Sequence, residues 1–161
     1  MVQRSIAQQV LVEHEILNHV MNALRTILDW KIQEYDLSRK LTSLLFITQS
    51  FQRHLNHVID LEESDVYPEM INTLHPHAAR QIPALKRDHD QFQAMLERIM
   101  PRLERISSMD HATLGMMCDE LRVLLARLSE HSGKEAELIE RSRLADVSAG
   151  GAEARQVVPV L

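Results

Sequence analysis

Hydrophobic residues recur at alternating spacings of three and four along four long stretches of the chain, as on the buried face of a helix in a bundle. Each such series of positions is called a seam below. The first two seams comprise Val10, His14, Leu17, Met21, Leu24 and Leu28, then Leu41, Leu44, Thr48, Phe51, Leu55, Val58 and Glu62. The other two comprise Ile82, Leu85, His89, Phe92, Leu96, Ile99, Leu103 and Ile106, then Met117, Leu121, Leu124, Leu128, His131, Glu135 and Leu138. Four such helices joined by short links predict an all-α fold, an antiparallel up-down-up-down four-helix bundle.

Capping residues and prolines indicate where these helices begin and end. Asp36 or Ser38 can cap the second helix, and Asp110 can cap the fourth. Pro68 lies near the expected end of the second helix. Pro101 interrupts the third seam, and its ring and missing N–H should kink or end that helix.

The chain divides into one domain and a tail. We expect the bundle to occupy residues 1–144, with residues 68–83 as its longest connection. Residues 145–161 contain a stretch rich in alanine and glycine and end in the apolar letters VVPVL. This composition predicts a flexible C-terminal tail.

Composition narrows the class of protein. The chain has 161 residues, of which 45% are hydrophobic and 25% charged, as expected of one soluble domain. Its formal charge of −5 and the lack of a basic stripe argue against a nucleic-acid partner. Short apolar runs and an N-terminus without a signal-like segment argue against a membrane partner and favour a cytoplasmic location. The single cysteine, Cys118, excludes an internal disulfide or a multi-cysteine metal cage.

Ionisable side chains occupy seam positions where the helical period demands apolar ones. They are His14, Glu62, His89, His131 and Glu135. A single buried histidine is more often a hydrogen-bonded core residue than a ligand. These five, however, lie early in the odd helices and late in the even helices, so an antiparallel bundle places them in one layer.

A metal ion would compensate the two buried carboxylates of this layer. Burying them without cations costs several kcal/mol, and we find no lysine or arginine on the seams. Mixed imidazole and carboxylate ligands suit iron, manganese or zinc. His131 and Glu135 are spaced i, i+4, about 40° apart around a helix, so both can reach one ion.

The order of these motifs resembles the hemerythrin-like family, the HHE cation-binding domains. The matching pieces span roughly residues 5–143 and are Glu13-His14, Glu62-Glu63 followed by Val66-Tyr67-Pro68, Asp88-His89, and His131 with Glu135. The resemblance implies a helical bundle that holds two bridged non-haem irons, with manganese or zinc less favoured. It also implies binding or sensing of dioxygen, or reactions with nitric oxide, peroxide or iron.

The second helix departs from the family pattern, which usually has a histidine four residues before the first glutamate. Val58 occupies that position, and the nearby candidates are His57 and His54. His57 lies about 140° from Glu62 and would need a wide cluster or a π-bulge, whereas His54 lies about 12 Å away along the helix axis. We prefer His57 as the sixth metal ligand. If both histidines are surface residues, one iron is weakly held or absent.

Three functions fit the sequence. The first is a di-iron protein that binds or senses a small diatomic molecule or peroxide. The second is an oxidase- or peroxidase-like enzyme at the same centre. The third is a metal-free interaction bundle in which the polar layer fixes helix register. A binding or sensing protein is preferred over an enzyme, and a homodimer is compatible with the sequence.

Overall fold

The fold is described by a computed structural model, which covers residues 3–31, 36–107 and 110–153. Its long helices are α1 (Gln3–Asp29), α2 (Leu37–Leu61), α5 (Ile82–Arg105) and α6 (His111–Glu153). Between α2 and α5 lie a π-turn (Glu62–Val66) and the short helices α3 (Tyr67–Thr73) and α4 (Pro76–Ala79). No strand occurs within these ranges, so the predicted all-α helical bundle is confirmed.

Contacts between consecutive long helices join residues whose numbers rise on one helix and fall on the next. Such pairs are Leu28 with Lys40 and His14 with Glu62, Asn56 with Gln93 and Glu62 with His89, and Arg102 with Glu120 and Asp88 with His131. Antiparallel packing of neighbouring helices produces this order of contacts.

The predicted seams form most of the core. Nearly all of their apolar positions are buried, and most of these belong to one continuous cluster across the four long helices. Ile82, Leu85 and Leu138 instead belong to a second cluster, around Tyr67 and Met70. Leu41 and Ile106 are half-buried and pack against that cluster. None of the helices in the described ranges combines the length and apolarity needed to cross a bilayer.

Lys40 corrects the expectation that no basic residue lies on a seam. It is 6% exposed, while its neighbour Leu41 is only half-buried. Its Nζ donates to the carbonyl oxygens of Leu28 at 3.1 Å and Trp30 at 2.8 Å, where α1 leaves its last carbonyls without helical partners. Because Lys40 lies near the start of α2 and Glu62 just past its end, about 30 Å away, Lys40 cannot neutralise the polar layer.

The helix boundaries differ from the expected ones at the prolines. Pro68 is in the first turn of α3, directly after the π-turn, and the helical path continues past it to Thr73. Pro101 lies inside α5, which ends only at Arg105. Residues 68–83, expected to be a connection, therefore include most of α3 and all of α4.

The fourth long helix begins as expected and extends further. The Thr113 N–H donates to Asp110 Oδ1 at 2.9 Å, which confirms Asp110 as a cap. Asp36 occupies the N-cap position of α2 but makes no capping hydrogen bond through its side chain. Helix α6 continues to Glu153, nine residues into the segment expected to be a tail. Residues 154–161, which include VVPVL, lie outside the described residues.

Candidate metal centre

Five of the six candidate ligands meet in one layer of the bundle. His14 Nε2 lies 2.7 Å from Glu62 Oε1, and His89 Nε2 lies 3.1 Å from Glu62 Oε2. His89 Nε2 is also 3.0 Å from His131 Nε2. Glu135 completes the layer beside His14 and Glu62. The four long helices thus bring together the side chains that the seam positions placed at one level.

The donor atoms form two groups that share Glu62. One group comprises Glu62, His89 and His131, and the other comprises His14, Glu62 and Glu135. In each, the ligand atoms lie within 4.8 Å of one another. Glu62, His89, His131 and Glu135 are at most 3% exposed, whereas the His14 side chain is 27% exposed. Each group can hold one metal ion, and Glu62 can contribute to both. The five residues of the two groups are called the centre below.

Two further carboxylates orient the histidines of the first group. His89 Nδ1 lies 2.8 Å from Glu63 Oε1, and His131 Nδ1 lies 3.3 Å from Asp88 Oδ2. When each Nδ1 donates its proton to its carboxylate, both Nε2 atoms face the centre with a free lone pair. A carboxylate behind the ring is the usual support of a metal-binding histidine.

The π-turn places Tyr67 in the centre. Its N–H donates to the Glu62 carbonyl oxygen, five residues back, so Tyr67 lies one π-helical turn after Glu62 rather than about 140° around an α-helix. Tyr67 is fully buried, and its Oη lies 3.2 Å from His89 Nε2. Tyr67 was not among the predicted ligands. Its signals in the sequence are its place in the Val66-Tyr67-Pro68 motif and its position five residues after Glu62.

His57 does not join the five other candidate ligands. The Glu62 N–H donates to the Val58 carbonyl oxygen, so α2 keeps α-helical register up to Glu62, and the π-turn begins only there. His57 therefore stays about 140° away from Glu62 around the helix. Its Nε2 lies 3.6 Å from Glu13 Oε1, and its side chain is 46% exposed. His54 also faces Glu13.

The two carboxylates of the centre have opposite pKa shifts. Burial raises the pKa of Glu62, but short contacts with His14 and His89 outweigh it and lower that pKa to about 2. Burial, followed by the nearby Glu62 charge, raises the pKa of Glu135 to about 8. Without metal at neutral pH, Glu62 is therefore ionised and Glu135 carries a proton.

The pKa values of the three histidines are also shifted in opposite directions. The close approach of Glu62 raises the pKa of His14. Burial lowers the pKa of His89, but Glu62 and Glu63 outweigh it, and the net shift is upward. Burial and the adjacent His89 lower the pKa of His131. The buried Glu62 carboxylate thus favours the protonated form of His14 and His89 in the metal-free protein, whereas burial favours neutral His131.

The donor set fits a metal ion better than it fits protons alone. A proton on His89 Nε2 can serve only one of the three acceptors around it, which lie 3.0 to 3.2 Å away on His131, Glu62 and Tyr67. Glu135 Oε1 is fully buried and makes no hydrogen bond, and the buried His14 Nε2 lies 2.7 Å from Glu62 Oε1 without the angles of a hydrogen bond. Unsatisfied polar atoms at this depth are costly, and a cation would satisfy all of them.

A small cavity of about 50 Å³ adjoins the centre. Its polar lining includes His14, Glu62, His89 and His131. Its apolar lining comprises Leu17, Leu55, Val58, Ile59 and Leu128. A space of this size can accommodate water or a diatomic molecule beside the ligands.

The remaining histidines lie on the surface. His19 and His111 are exposed, as are His75 and His77 near α4. The two supporting carboxylates, by contrast, were not among the candidate ligands. Their sequence signal is that each adjoins a predicted ligand within a pair that resembles the family motif, because Glu63 follows Glu62 and Asp88 precedes His89.

Comparison with known proteins identifies the family. The family model for the hemerythrin HHE cation binding domain matches residues 5–142. Neither the comparison with curated proteins nor that with solved structures gives a match. The matched range contains every residue of the centre and the bundle from Ser5 in α1 to Ser142 in α6. The chain belongs to the hemerythrin HHE cation-binding domain family.

Proposed function

We propose that the protein holds two non-haem iron ions in the centre and binds or senses a small diatomic molecule or peroxide there. The observation that carries the proposal is the pair of buried donor groups that share Glu62. His89, His131 and Glu62 would hold one iron, and His14, Glu135 and Glu62 the other. Imidazole and carboxylate ligands suit iron, with manganese and zinc as less favoured occupants.

The chain supports a small ligand in two ways. The cavity beside the centre combines polar and aliphatic walls and has only about 50 Å³ of space, which favours a compact ligand over an organic substrate. Glu63 and Asp88 fix the orientation of the two most buried histidines. Bound iron would supply the redox chemistry. Glu63 and Asp88 would keep the histidines in place, and the small cavity would limit which ligands can enter.

An oxidase- or peroxidase-like activity at the same centre is the second candidate. Tyr67 favours it, because a fully buried hydroxyl group 3.2 Å from His89 Nε2 can donate a hydrogen bond within the site. Burial raises the pKa of Tyr67 well above its usual range, so the hydroxyl keeps its proton. Binding and turnover are distinguished by whether peroxide is consumed catalytically or in one equivalent.

Metal analysis of freshly purified and anaerobically reconstituted protein tests the proposal. We expect about two irons per chain, with near-ultraviolet and visible absorption that changes on addition of dioxygen or nitric oxide. Glu62→Gln should lose both ions, because Glu62 belongs to both donor groups. His131→Ala should remove at least one, while the exposed His19→Ala is the matched control and should keep both.

Well under one equivalent of any transition metal after reconstitution would contradict the proposal. That result would favour the metal-free bundle, in which the polar layer only sets helix register. Metal loading without any spectral response to dioxygen, nitric oxide or peroxide would support the metal site but contradict the proposed binding of a small ligand.

A further inference from the structure

We propose that Glu13, His54 and His57 form a second, outer site for one divalent first-row transition-metal ion. Glu13 lies on α1, and the two histidines lie on the facing side of α2. The proposal concerns side chains outside the buried centre and does not depend on iron being bound there. The three residues are named below as the outer site.

The distances in the outer site suit a shared ion better than direct hydrogen bonds. Glu13 Oε1 lies 3.6 Å from His57 Nε2, and Glu13 Oε2 lies 3.9 Å from His54 Nδ1. Both separations exceed the usual hydrogen-bond range of about 2.7 to 3.2 Å. Two ligands bound to one ion at about 2.1 Å lie roughly 3.0 to 3.5 Å apart at tetrahedral or octahedral angles, so each of these two distances is close to that range. The donor atoms of the three residues do not all lie within 4.8 Å of one another, so the partly exposed rings must rotate to gather around one ion.

The helix supplies the two imidazoles on one face. His54 and His57 are spaced i, i+3, about 60° apart around α2 and about 4.5 Å along its axis. Ligand pairs with this spacing occur in metal sites of helical bundles. Their side chains are 34% and 46% exposed, so the rings can adjust to an ion that arrives from solvent.

The charge of the outer site also favours a cation. Among the described residues, no lysine or arginine nitrogen lies within 4 Å of the Glu13 carboxylate, which is 18% exposed. Two nitrogens and one carboxylate favour zinc, nickel, copper or ferrous iron over magnesium or calcium, which prefer oxygen ligands. Glu13 adjoins His14, and His57 adjoins Val58 beside the cavity, so an ion bound here would lie next to the buried centre.

A calorimetric titration with Zn²⁺ tests the outer site on iron-loaded, full-length protein. We expect one zinc equivalent beyond the iron, unaffected by a large excess of Mg²⁺. The Glu13→Gln/His57→Gln double variant should bind that zinc at least tenfold more weakly. His19→Gln on α1 and a His75→Gln/His77→Gln variant are controls at exposed histidines elsewhere, and both should bind as the wild type does.

The same titration in a His131→Ala background separates the outer site from the buried centre. If iron does not load at all, the zinc equivalent that depends on Glu13 and His57 should still be present. Absence of an additional zinc in the wild type, equal affinity in the double variant, or loss only in the His75/His77 variant would each overturn the proposal. Circular dichroism of every variant checks that the helices are intact.

Discussion

At the scale of single residues, the orientation of the histidines in the centre depends on carboxylates that contact their Nδ1 atoms. Glu63 and Asp88 contact the Nδ1 atoms of His89 and His131 and leave the Nε2 atoms free to bind. We expect Glu63→Gln and Asp88→Asn each to weaken metal binding about 10- to 100-fold, because the rings lose basicity and orientation. Competition with a chelator of known affinity measures the change.

The control for these variants is Asp90→Asn, which neutralises an exposed carboxylate next to His89. It should leave the affinity unchanged. Equal weakening by Asp90→Asn would mean that general surface charge, and not contact with the rings, controls the affinity.

If the centre holds two ions as proposed, we expect Val58 to determine how evenly the two positions are filled. It lies one α-helical turn before Glu62, is 3% exposed and lines the cavity, so the second helix supplies no imidazole there. We predict that the wild type holds one ion less tightly than the other. Val58→His should raise the affinity of the weaker position, provided the core accepts the larger ring.

An anaerobic iron titration of wild type and Val58→His measures both affinities. Val58→Leu, which changes volume without adding a ligand, is the matched control. Two equal, tight positions in the wild type, with no gain from the histidine, would show that another group already completes the ligand set.

At the scale of elements, the π-turn and α6 position the site. The π-turn directs Tyr67 to the same centre as Glu62, which an α-helix would not do. Helix α6 carries His131 and Glu135 on one face, with Gly133 exposed between them. A Cβ atom at Gly133 would meet nothing within 4 Å, so no contact requires glycine there.

We therefore expect Gly133→Ala to stabilise the protein by about 0.5 to 1 kcal/mol, because glycine costs backbone entropy inside a helix. Urea denaturation measures this gain. Gly115→Ala, also exposed and without a neighbour within 4 Å, is the matched control in the same helix. Metal content should stay at the wild-type value in both, and metal loss in Gly133→Ala alone would show that the helix must deform at Gly133 to bind.

At the scale of the whole molecule, the apolar core and the polar layer make separate contributions. The main core cluster is formed by side chains from all four long helices and is continuous without the ligands. Metal removal should therefore leave the helices formed but lower the melting temperature, since an ion that binds only the folded state stabilises it. Circular dichroism and calorimetry with and without iron measure this. Identical melting temperatures would contradict the expected stabilisation of the fold by bound metal.

The metal-free protein should become more stable as pH falls from 8 to about 5. Glu135 has its pKa raised from 4.5 to about 8, so the folded state binds a proton that the unfolded state releases in this range. The raised pKa values of His14 and His89 act in the same direction, and the lowered pKa of His131 opposes them. Below about 4.5 the lowered pKa of Glu62 reverses the trend.

Melting temperatures of the metal-free protein at several pH values test this, with an expected rise on the order of 5 °C between pH 8 and 5. Glu135→Gln should flatten the profile. Stability that increases from pH 5 to 8 without metal would contradict the assignment of protons to the layer.

The sequence by itself determined the helices, the core and the level of the candidate ligands. A period of 3.6 residues fixes which side chains share a face, and burial of that face provides most of the driving force for packing. Nearly all of the apolar seam positions are therefore buried, and they account for 20 of the 30 buried hydrophobic residues in the described part of the chain. The same spacing put His14, Glu62, His89, His131 and Glu135 in one layer before any contact was known.

Only the tertiary structure decided which polar neighbours complete that layer. The π-turn begins at Glu62, so it rotates Tyr67 inward and leaves His57 facing Glu13. Whether one turn of a helix closes over four or five residues depends on packing around it, which leaves no periodic signal in the sequence. Glu63 and Asp88 meet their histidines across helix interfaces for the same reason: the contacts depend on the rotation and axial position of two helices at once.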